Sequence, residues 1–255
     1  MRVITFNANG IRAAARKGFF EWLKKQDADV VCIQETKAQE TDLVDDHFRP
    51  AGYHCYYFDA VKKGYSGVAI YSKEKPKKIT KGLGFSVADT EGRYIQADFA
   101  KYSVASLYLP SGSSGDERQG VKFAFLDEYR KILHKMAKLK TPLIVCGDWN
   151  IVHKEIDIKN FKSNQKSSGC LPEERAWLNA ILTKEGFVDA FRVVDQRPEQ
   201  YTWWSMRMRA REKNVGWRID YQIITPDLKD AVKKAFIYNE ENFSDHAPVV
   251  VDYDL

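Results

Sequence analysis

The sequence lacks several features that would place it in whole classes of protein. No apolar stretch approaches the roughly 20 residues that a membrane span requires. No Pro-, Gly- or Ser-rich linker and no repeat of fixed period divides the 255 residues. The first residues, MRVITFNANG, begin a strand-like alternation and lack the apolar segment and cleavage site of a signal peptide. We therefore expect a single domain, residues 1–255, with no membrane partner.

Cysteine is scarce, and its spacing argues against cysteine chemistry. The four cysteines are far apart, form no CxxC pair, and three of them lie within apolar or aromatic runs. This pattern favours buried free thiols in a reducing compartment over disulfides or zinc ligands. We expect a cytoplasmic protein, nucleoid-associated if the source is prokaryotic.

Several catalytic motifs are also absent. The sequence contains no GxSxG, Walker A, GxGxxG or HExxH motif. Acyl transfer, P-loop nucleotide hydrolysis, Rossmann redox chemistry and zinc peptidase activity therefore have no support.

The charge balance is modest, but the basic residues are clustered. A hydrophobic share of 44%, a mean hydropathy of −0.48 and a net charge of +5 are typical of a globular enzyme. Residues 73–81 carry five lysines, which we interpret as a solvated face. Residues 207–213 carry cations at alternate positions between two aromatic clusters. If that stretch is extended, its cations share one side and could follow a phosphate backbone.

The motif GDWN, residues 147–150, follows the apolar run 142–146. In an extended chain Asp148 and Asn150 point to one side and Trp149 to the other, so a carboxylate and an amide would share a site. An isolated GDxN more commonly marks a strand followed by an Asx turn, so this motif needs partners elsewhere.

Other predicted strands also end in polar side chains. Asn7 follows residues 2–6, Glu35 follows 29–34, and Tyr108 lies near the end of the strand 103–109. A carboxylate at a strand end suits Mg²⁺, which is usually held by one or two carboxylates with water and phosphate. Taken singly, each residue has a commoner interpretation as a turn former or solvated acid.

The C-terminal third adds an acid and an imidazole. Asp220 interrupts the apolar strand 217–225 and should have a partner, since a buried unpaired acid is costly. Asp245 and His246 precede a final strand at 249–253. An Asp220–His246 pair would set the tautomer of the imidazole. Carboxylates, amides and one histidine together fit metal-assisted phosphodiester cleavage.

The remaining pattern predicts an α/β protein. Short strands at 53–58, 67–72, 93–99 and 103–109 favour antiparallel hairpins. Helices are predicted at 16–26, at 116–139 from an apolar stripe, and from Pro172 onwards.

An ordered set of motifs along nearly the whole chain resembles the exonuclease III family of apurinic/apyrimidinic (AP) endonucleases. The motifs are NANGIRA (7–13), IQETK (33–37), GYSGVAIYSK (64–73), LYLPSG (107–112), GDWN, NQKSSGCLPEER (164–175), YTWWS (201–205), NVGWRIDY (214–221) and SDHAPV (244–249). The resemblance implies a four-layer α/β sandwich, with two mixed β-sheets packed face to face and helices outside.

The resemblance also implies roles for the strand-end residues. Glu35 matches the principal metal ligand and Asp148 the group that activates water, while Asn150 would hold that water or a phosphate oxygen. Tyr108 matches a phosphate or leaving-group contact, and His246 the imidazole oriented by Asp220. The implied metal-site residues are Asn7, Glu35, Asp148, Asn150, Asp245 and His246. Asp148 and His246 both remain candidates for the base; we favour Asp148, because a protonated His246 is more useful against phosphate charge.

The same resemblance implies substrate contacts. Trp203, Trp217 and Ile219 would wall a pocket for a deoxyribose that has no base and is flipped from the helix. We expect Trp204 to be a core residue instead, and Gly169 to leave room for the extruded sugar. The other expected substrate contacts are Arg12, Lys17, Tyr65, Arg93, Ser111, Asn164 and Arg207.

We therefore expect a Mg²⁺-dependent nuclease, with Mn²⁺ as a possible substitute, that cleaves 5′ to an abasic site and leaves a 3′-hydroxyl. 3′-Phosphodiesterase and 3′ to 5′ exonuclease activities would accompany it. The expected partner is double-stranded DNA with abasic sites or blocked 3′ ends, bound by a monomer. A phosphoesterase of the same fold acting on lipid or RNA, and a binding module without catalysis, are the alternatives. The cluster of acids disfavours the binding module, because acids repel phosphate.

Overall fold

The computed structural model describes residues 1–255. Its strands are β1 (Arg2–Asn7), β2 (Val30–Gln34), β3 (His54–Phe58), β4 (Val68–Ser72), β5 (Lys78–Lys81), β6 (Tyr94–Asp98), β7 (Ser103–Tyr108), β8 (Leu143–Asp148), β9 (Val188–Asp189), β10 (Trp203–Trp204), β11 (Gly216–Trp217), β12 (Asp220–Ile224), β13 (Val232–Ile237) and β14 (Val249–Tyr253). Its α-helices are α1 (Ile11–Arg16), α2 (Phe19–Leu23), α3 (Ser86–Thr90), α4 (Asp116–Met136), α5 (Phe161–Asn164), α6 (Pro172–Thr183) and α7 (Ala190–Val194).

The strands form two six-stranded sheets and one short ribbon. The first sheet has the order β13-β14-β1-β2-β4-β3 and the second β5-β6-β7-β8-β12-β9, while β10 pairs with β11. Only β1 with β2, and β7 with β8, run parallel; all other neighbours within the two sheets are antiparallel. Both sheets are therefore mixed, as the resemblance implied.

Alternation of side chains along the strands builds the layers. Val3 and Ile144 point into the space between the sheets, where they share one buried cluster. On the outer face of the first sheet Ile4 packs with the helix residue Phe19, and on that of the second Val145 packs with Phe125 of α4. Helices thus cover both outer faces, which confirms the four-layer α/β sandwich.

Two predicted elements differ in extent from the structure. The helix predicted at 16–26 is confined to α2 and is preceded by a separate helix, α1, which ends at Arg16; Gly18 lies between them with a φ of 89°, which breaks the α conformation. The strand predicted at 217–225 is interrupted after Trp217, because Arg218 turns inward and its backbone N–H donates to the Asp157 carbonyl at 2.7 Å. The last strand has the predicted bounds.

The basic stretch 207–213 is not extended, which corrects the expectation from its alternating charges. It forms consecutive turns, with Met208 and Arg209 at positive φ. Arg211 packs its guanidinium over the Trp204 ring at 4.6 Å, and Arg209 pairs with Glu212. Local turn hydrogen bonds and these contacts decide the conformation, so the cations do not form one row.

No helix combines the length and the apolar composition that crossing a membrane would require.

A buried ionic network supports the segment that precedes β12. Asp157 accepts hydrogen bonds from Arg218 Nε and Arg192 Nη2, each at 2.7 Å, and Arg218 Nη2 also donates to Asp189 at 2.7 Å. Burial opposes ionisation of Asp157, but the two guanidiniums outweigh burial and lower its pKa to about 2. The network therefore stabilises the fold only while Asp157 is ionised.

This network predicts an acid-dependent loss of stability. The pKa of Asp157 in the folded protein is about 2, below its usual 3.8, so its contribution is complete above pH 4 and is lost as the pH falls towards 2. We expect Asp157→Asn to lower the free energy of unfolding at pH 7 by roughly 2–3 kcal/mol. Urea unfolding at successive pH values should show the deficit shrinking below pH 4. The exposed Asp254→Asn serves as the control, and a deficit independent of pH would contradict the network's role.

Candidate active site

The strand-end residues converge at one edge of the sandwich, as the sequence predicted. Asn7, Tyr108 and Asp148 are the last residues of β1, β7 and β8, and Glu35 directly follows β2. Because these are the parallel pairs, their carboxyl ends meet at the same edge. Asp220 begins the antiparallel β12 directly opposite Asp148. The site lies at the mouth of the layer between the two sheets.

A single amide joins two carboxylates that come from different sheets. Asn7 Nδ2 lies 2.8 Å from Glu35 Oε1 and 2.8 Å from Asp148 Oδ2, while Asn7 Oδ1 accepts the backbone N–H of Asn9 at 2.9 Å. Lys37 Nζ lies 2.8 Å from the other oxygen of Glu35. The carboxylates are thus held near each other by donors that offset their mutual repulsion.

Asp148 and Asn150 share the site, although Asn150 is not extended. Asn150 has a φ of 50°; its backbone N–H donates to Asp148 Oδ1 at 2.8 Å, and its Nδ2 lies 3.2 Å from Oδ2. Trp149 is buried on the helix side of the sheet, as alternation predicted. Burial, with repulsion from Asp220 and Glu35, raises the pKa of Asp148 to about 7. A carboxylate with such a pKa is suited to accept a proton at neutral pH.

Asp220 has the partner that its burial required. His246 Nδ1 lies 2.9 Å from Asp220 Oδ2, and His246 Nε2 lies 3.9 Å from Asp148 Oδ2. Burial alone would lower the pKa of His246, but attraction to Asp220 and the hydrogen bond with it outweigh burial and raise the pKa to about 10. An imidazolium has no lone pair for a cation, so in this protonation state His246 acts as a hydrogen-bond donor, and its place among the metal ligands stays a prediction.

The donor atoms at this edge fit a hard divalent cation. Ligand atoms of Glu35, Asp148 and His246 lie within 4.8 Å of one another, and the two carboxylates supply the oxygens that Mg²⁺ and Mn²⁺ prefer. Asp245 is set back from this group: its Oδ1 accepts Asn9 Nδ2 at 2.9 Å and its Oδ2 accepts Trp203 Nε1 at 3.1 Å. Burial opposes ionisation of Asp245, but His246 and these hydrogen bonds lower its pKa.

Arg93 departs from the expectation that it contacts DNA. Its side chain is only 1% exposed; the guanidinium lies 4.6 Å from the centre of the Tyr108 ring, and Nε pairs with Glu91 at 2.6 Å. The phenol of Tyr108 stays neutral, since burial and the nearby Glu35 carboxylate raise its pKa well above the usual range. Arg93 therefore supports Tyr108 from behind, and Tyr108 presents a hydrogen-bond donor to the cleft.

An aromatic wall faces these polar groups across a cleft of about 630 Å³. The rings of Trp203 and Trp217 meet edge to face at 5.9 Å, and Ile219 completes the apolar side. Gly169 lies at its base with a φ of +88°; a Cβ there would lie 2.9 Å from the carbonyl of Asn150 and 3.2 Å from the Trp217 ring. Trp204 is a core residue, as predicted.

The other expected substrate contacts differ in position. Arg12, Lys17 and Arg207 are exposed, and Ser111 lines the cleft. The Tyr65 hydroxyl accepts hydrogen bonds from Arg93 at 3.2 Å and Arg118 at 2.9 Å. Asn164 instead turns to its own helix, where its Nδ2 donates to the Asn160 carbonyl at 2.9 Å, and Ser167 and Ser168 line the cleft in its place.

Sequence reasoning missed Lys37 and Arg118. Lys37 lies two residues after Glu35 within IQETK, and that spacing was the one available signal. Arg118 offered none, because its hydrogen bonds to Tyr65 and Glu91 join distant parts of the chain.

Unusual backbone conformations cluster at this edge. Glu35, Lys37, Asn9 and Asn150 all have φ between 43° and 51°. Such conformations are uncommon for residues other than glycine and persist where the surroundings over-determine them. Hydrogen bonds from Gly10 N to Glu35 O and from Lys37 N to Ser66 O, each 2.8 Å, supply that restraint.

Comparison with known proteins assigns this chain to a family. The Endonuclease/Exonuclease/phosphatase family model matches residues 4–246, so the chain belongs to that family. It is 40% identical to a Bacillus subtilis exodeoxyribonuclease over 251 residues, covering 98% of both chains. It is 38% identical to the Danio rerio DNA repair nuclease APEX1, over 98% of this chain and 81% of that protein. Among solved structures, an AP endonuclease from Archaeoglobus fulgidus superposes with a TM-score of 0.91 at 29% identity over the full length of both chains.

The Asp220–His246 pair predicts a protonated imidazole at neutral pH. We expect His246 in the parent to show no titration between about pH 5 and 8. In Asp220→Asn the acid no longer offsets burial, so the pKa of His246 should fall from about 10 towards or below its ordinary 6.5. Imidazole ¹⁵N chemical shifts, measured with EDTA present, report both states. Asp227→Asn, at an exposed acid, should leave them unchanged; identical shifts for Asp220→Asn and the parent would refute the assignment.

Proposed function

We propose that this protein is a Mg²⁺-dependent DNA repair nuclease that hydrolyses the phosphodiester 5′ to an abasic site in duplex DNA and leaves a 3′-hydroxyl. It also removes 3′ blocking groups and degrades DNA from 3′ ends. It acts as a monomer in the cytoplasm or on the nucleoid. The observation that carries the proposal is one cleft in which three carboxylates, a phenol and a histidine face an aromatic wall.

The polar side of the cleft supports phosphodiester hydrolysis. Asp148, held by the Asn7 and Asn150 amides, accepts the proton of the attacking water. The imidazolium of His246 and the hydroxyl of Tyr108 donate to the phosphoryl oxygens or the leaving group, where negative charge develops. Asn150 Nδ2 is already bonded to the Leu109 carbonyl at 2.9 Å, which fixes the amide before substrate arrives.

Glu35 and Asp148 would hold the cation. When bound, a divalent cation neutralises phosphate charge and polarises the scissile bond. Burial, with repulsion from Asp220 and Glu35, raises the pKa of Asp148, and a bound cation would offset that repulsion.

The aromatic side supports an abasic sugar as the extruded group. Trp203, Trp217 and Ile219 give an apolar wall that suits a deoxyribose without a base, and Gly169 adds no side chain to it. The names of the relatives from Bacillus subtilis and Archaeoglobus fulgidus agree with DNA as the substrate. The same wall disfavours the alternative, a phosphoesterase for phospholipid or RNA.

Removal of Asp148 tests the reaction. We expect the parent to cut a duplex carrying one abasic analogue, to stop when EDTA is added, and to resume with Mg²⁺. Asp148→Ala should cut roughly 10²- to 10⁴-fold more slowly, since it lacks the base, while the exposed-site variant Asp227→Ala should match the parent. Gel analysis of the labelled strand measures both. A parent protein that shifts the duplex without cutting it would be a binding module instead.

Two variants at Gly169 test the pocket. Gly169→Ala and Gly169→His share the same strained φ and the same Cβ contacts, but only His places bulk into the cleft. We expect Gly169→His to incise abasic DNA at least about tenfold more slowly than Gly169→Ala. If both variants lose the same fraction of the incision rate, backbone strain is the cause. If Gly169→His incises abasic DNA at the parent rate, the hypothesis is wrong.

A further inference from the structure

A buried ion pair lies behind the cleft and takes no part in the chemistry described above. Lys122 of α4 and Glu174 of α6 are both 0% exposed, and Lys122 Nζ lies 2.6 Å from Glu174 Oε1. A buried pair is weak evidence for stability, because desolvation costs several kcal/mol per ion. An apolar pair would serve the packing of the two helices as well, so these charges invite another explanation.

The remaining hydrogen bonds of the pair lead to the cleft. Lys122 Nζ also donates to the backbone carbonyl of Asn150 at 2.8 Å. Glu174 Oε2 accepts the backbone N–H of Gly169 at 2.6 Å and that of Leu171 at 3.2 Å. Lys122 therefore holds Asn150, which contacts the candidate general base Asp148. Glu174 holds Gly169 at the bottom of the sugar pocket.

These two points are adjacent in space. The Asn150 carbonyl is the nearest atom to the position of a Cβ at Gly169, at 2.9 Å. Val152 N donates to the Gly169 carbonyl at 2.8 Å, so the two loops run side by side. Any movement of one loop relative to the other would change the spacing between the Asn150 amide and the pocket.

The backbone of Asn150 requires this restraint. Its φ of 50° is an uncommon conformation, and four contacts hold it: its N–H and its Nδ2 to Asp148, its Nδ2 to the Leu109 carbonyl, and its carbonyl to Lys122. The contact with Lys122, like those with Asp148, involves a buried charged group, and charge-assisted bonds are stronger than neutral ones.

We infer that Lys122 and Glu174 are positioning residues, which fix the Asn150 amide and the Gly169 loop at the separation that phosphodiester hydrolysis requires. The inference rests on the proposed function and extends it to residues outside the cleft. Gln119 belongs to the same hydrogen-bond network, since its Nε2 donates to Glu174 Oε1 at 3.0 Å.

The test is the double variant Lys122→Met/Glu174→Gln, which removes both charges and leaves neither unpaired. We expect its melting temperature to stay near that of the parent, because loss of a whole buried pair is often neutral. We expect kcat for incision of an abasic duplex to fall on the order of 10²-fold, with KM little changed, since small displacements of catalytic groups cost that much. The matched control is Lys131→Met/Glu128→Gln, which removes an exposed pair of the same helix and should match the parent.

If the double variant has the melting temperature and kcat of the parent, the pair serves only the packing of the two helices. The same conclusion follows if KM changes and kcat does not. If the double variant does not fold, Gln119→Leu decides instead. It removes one hydrogen bond and leaves the charges paired, so kcat should fall about fivefold; an unchanged kcat would overturn the inference.

For the parent and each variant, the rate at which nucleotides are removed from the 3′ ends of an intact duplex is also measured. A parent protein that degrades 3′ ends but spares abasic sites would refute the proposed substrate, and the pair would then be judged on the 3′-end rates.

Discussion

The site depends on holding two carboxylates from opposite sheets close together. Glu35 follows a strand of the first sheet and Asp148 ends a strand of the second, so their proximity requires the sheets to meet at a fixed spacing. The Asn7 side chain sets that spacing, because its one amide nitrogen donates to both acids. Lys37 and His246 add positive charge on either side. Without these donors, repulsion between the acids would favour opening of the sandwich at this edge.

Successive layers of contacts support this arrangement. Asp220 orients His246, the Asp245 carboxylate fixes Trp203, and Arg93 packs beneath Tyr108. Each supporting residue is itself buried or hydrogen-bonded, so the groups that face the cleft have little freedom to move. Such preorganisation is what electrostatic catalysis requires, since dipoles that are already aligned need not reorient during the reaction.

Much of the fold and of the site could be predicted from the sequence, for reasons that particular residues make clear. Alternation with a period of two placed Asp148 on the face opposite Trp149, and the buried acid Asp220 required a partner, which His246 supplies. The bounds of the last strand were also correct, because an apolar run after Pro248 leaves little ambiguity.

The predictions that were wrong concern features that the local sequence pattern does not determine. The turns at 207–213 depend on local hydrogen bonds and on packing against Trp204, and the burial of Arg93 depends on its contact with Tyr108, none of which the spacing of the charges encodes. Gly18 separates α1 from α2 because it adopts a left-handed conformation, and glycine within a helical pattern only permits such a break. Lys122 and Glu174 looked like ordinary helix residues, because nothing in the sequence shows that each faces inward.

The position of the first strand has a consequence for biosynthesis. β1 lies inside its sheet, between β2 and the last strand, β14, with which it pairs from Arg2 to Thr5. Translation must therefore pass β14 before β1 has both of its neighbours, and pairing of such remote segments is intrinsically slow. Chains that stop before β14 would leave one edge of β1 unpaired and its backbone polar groups exposed.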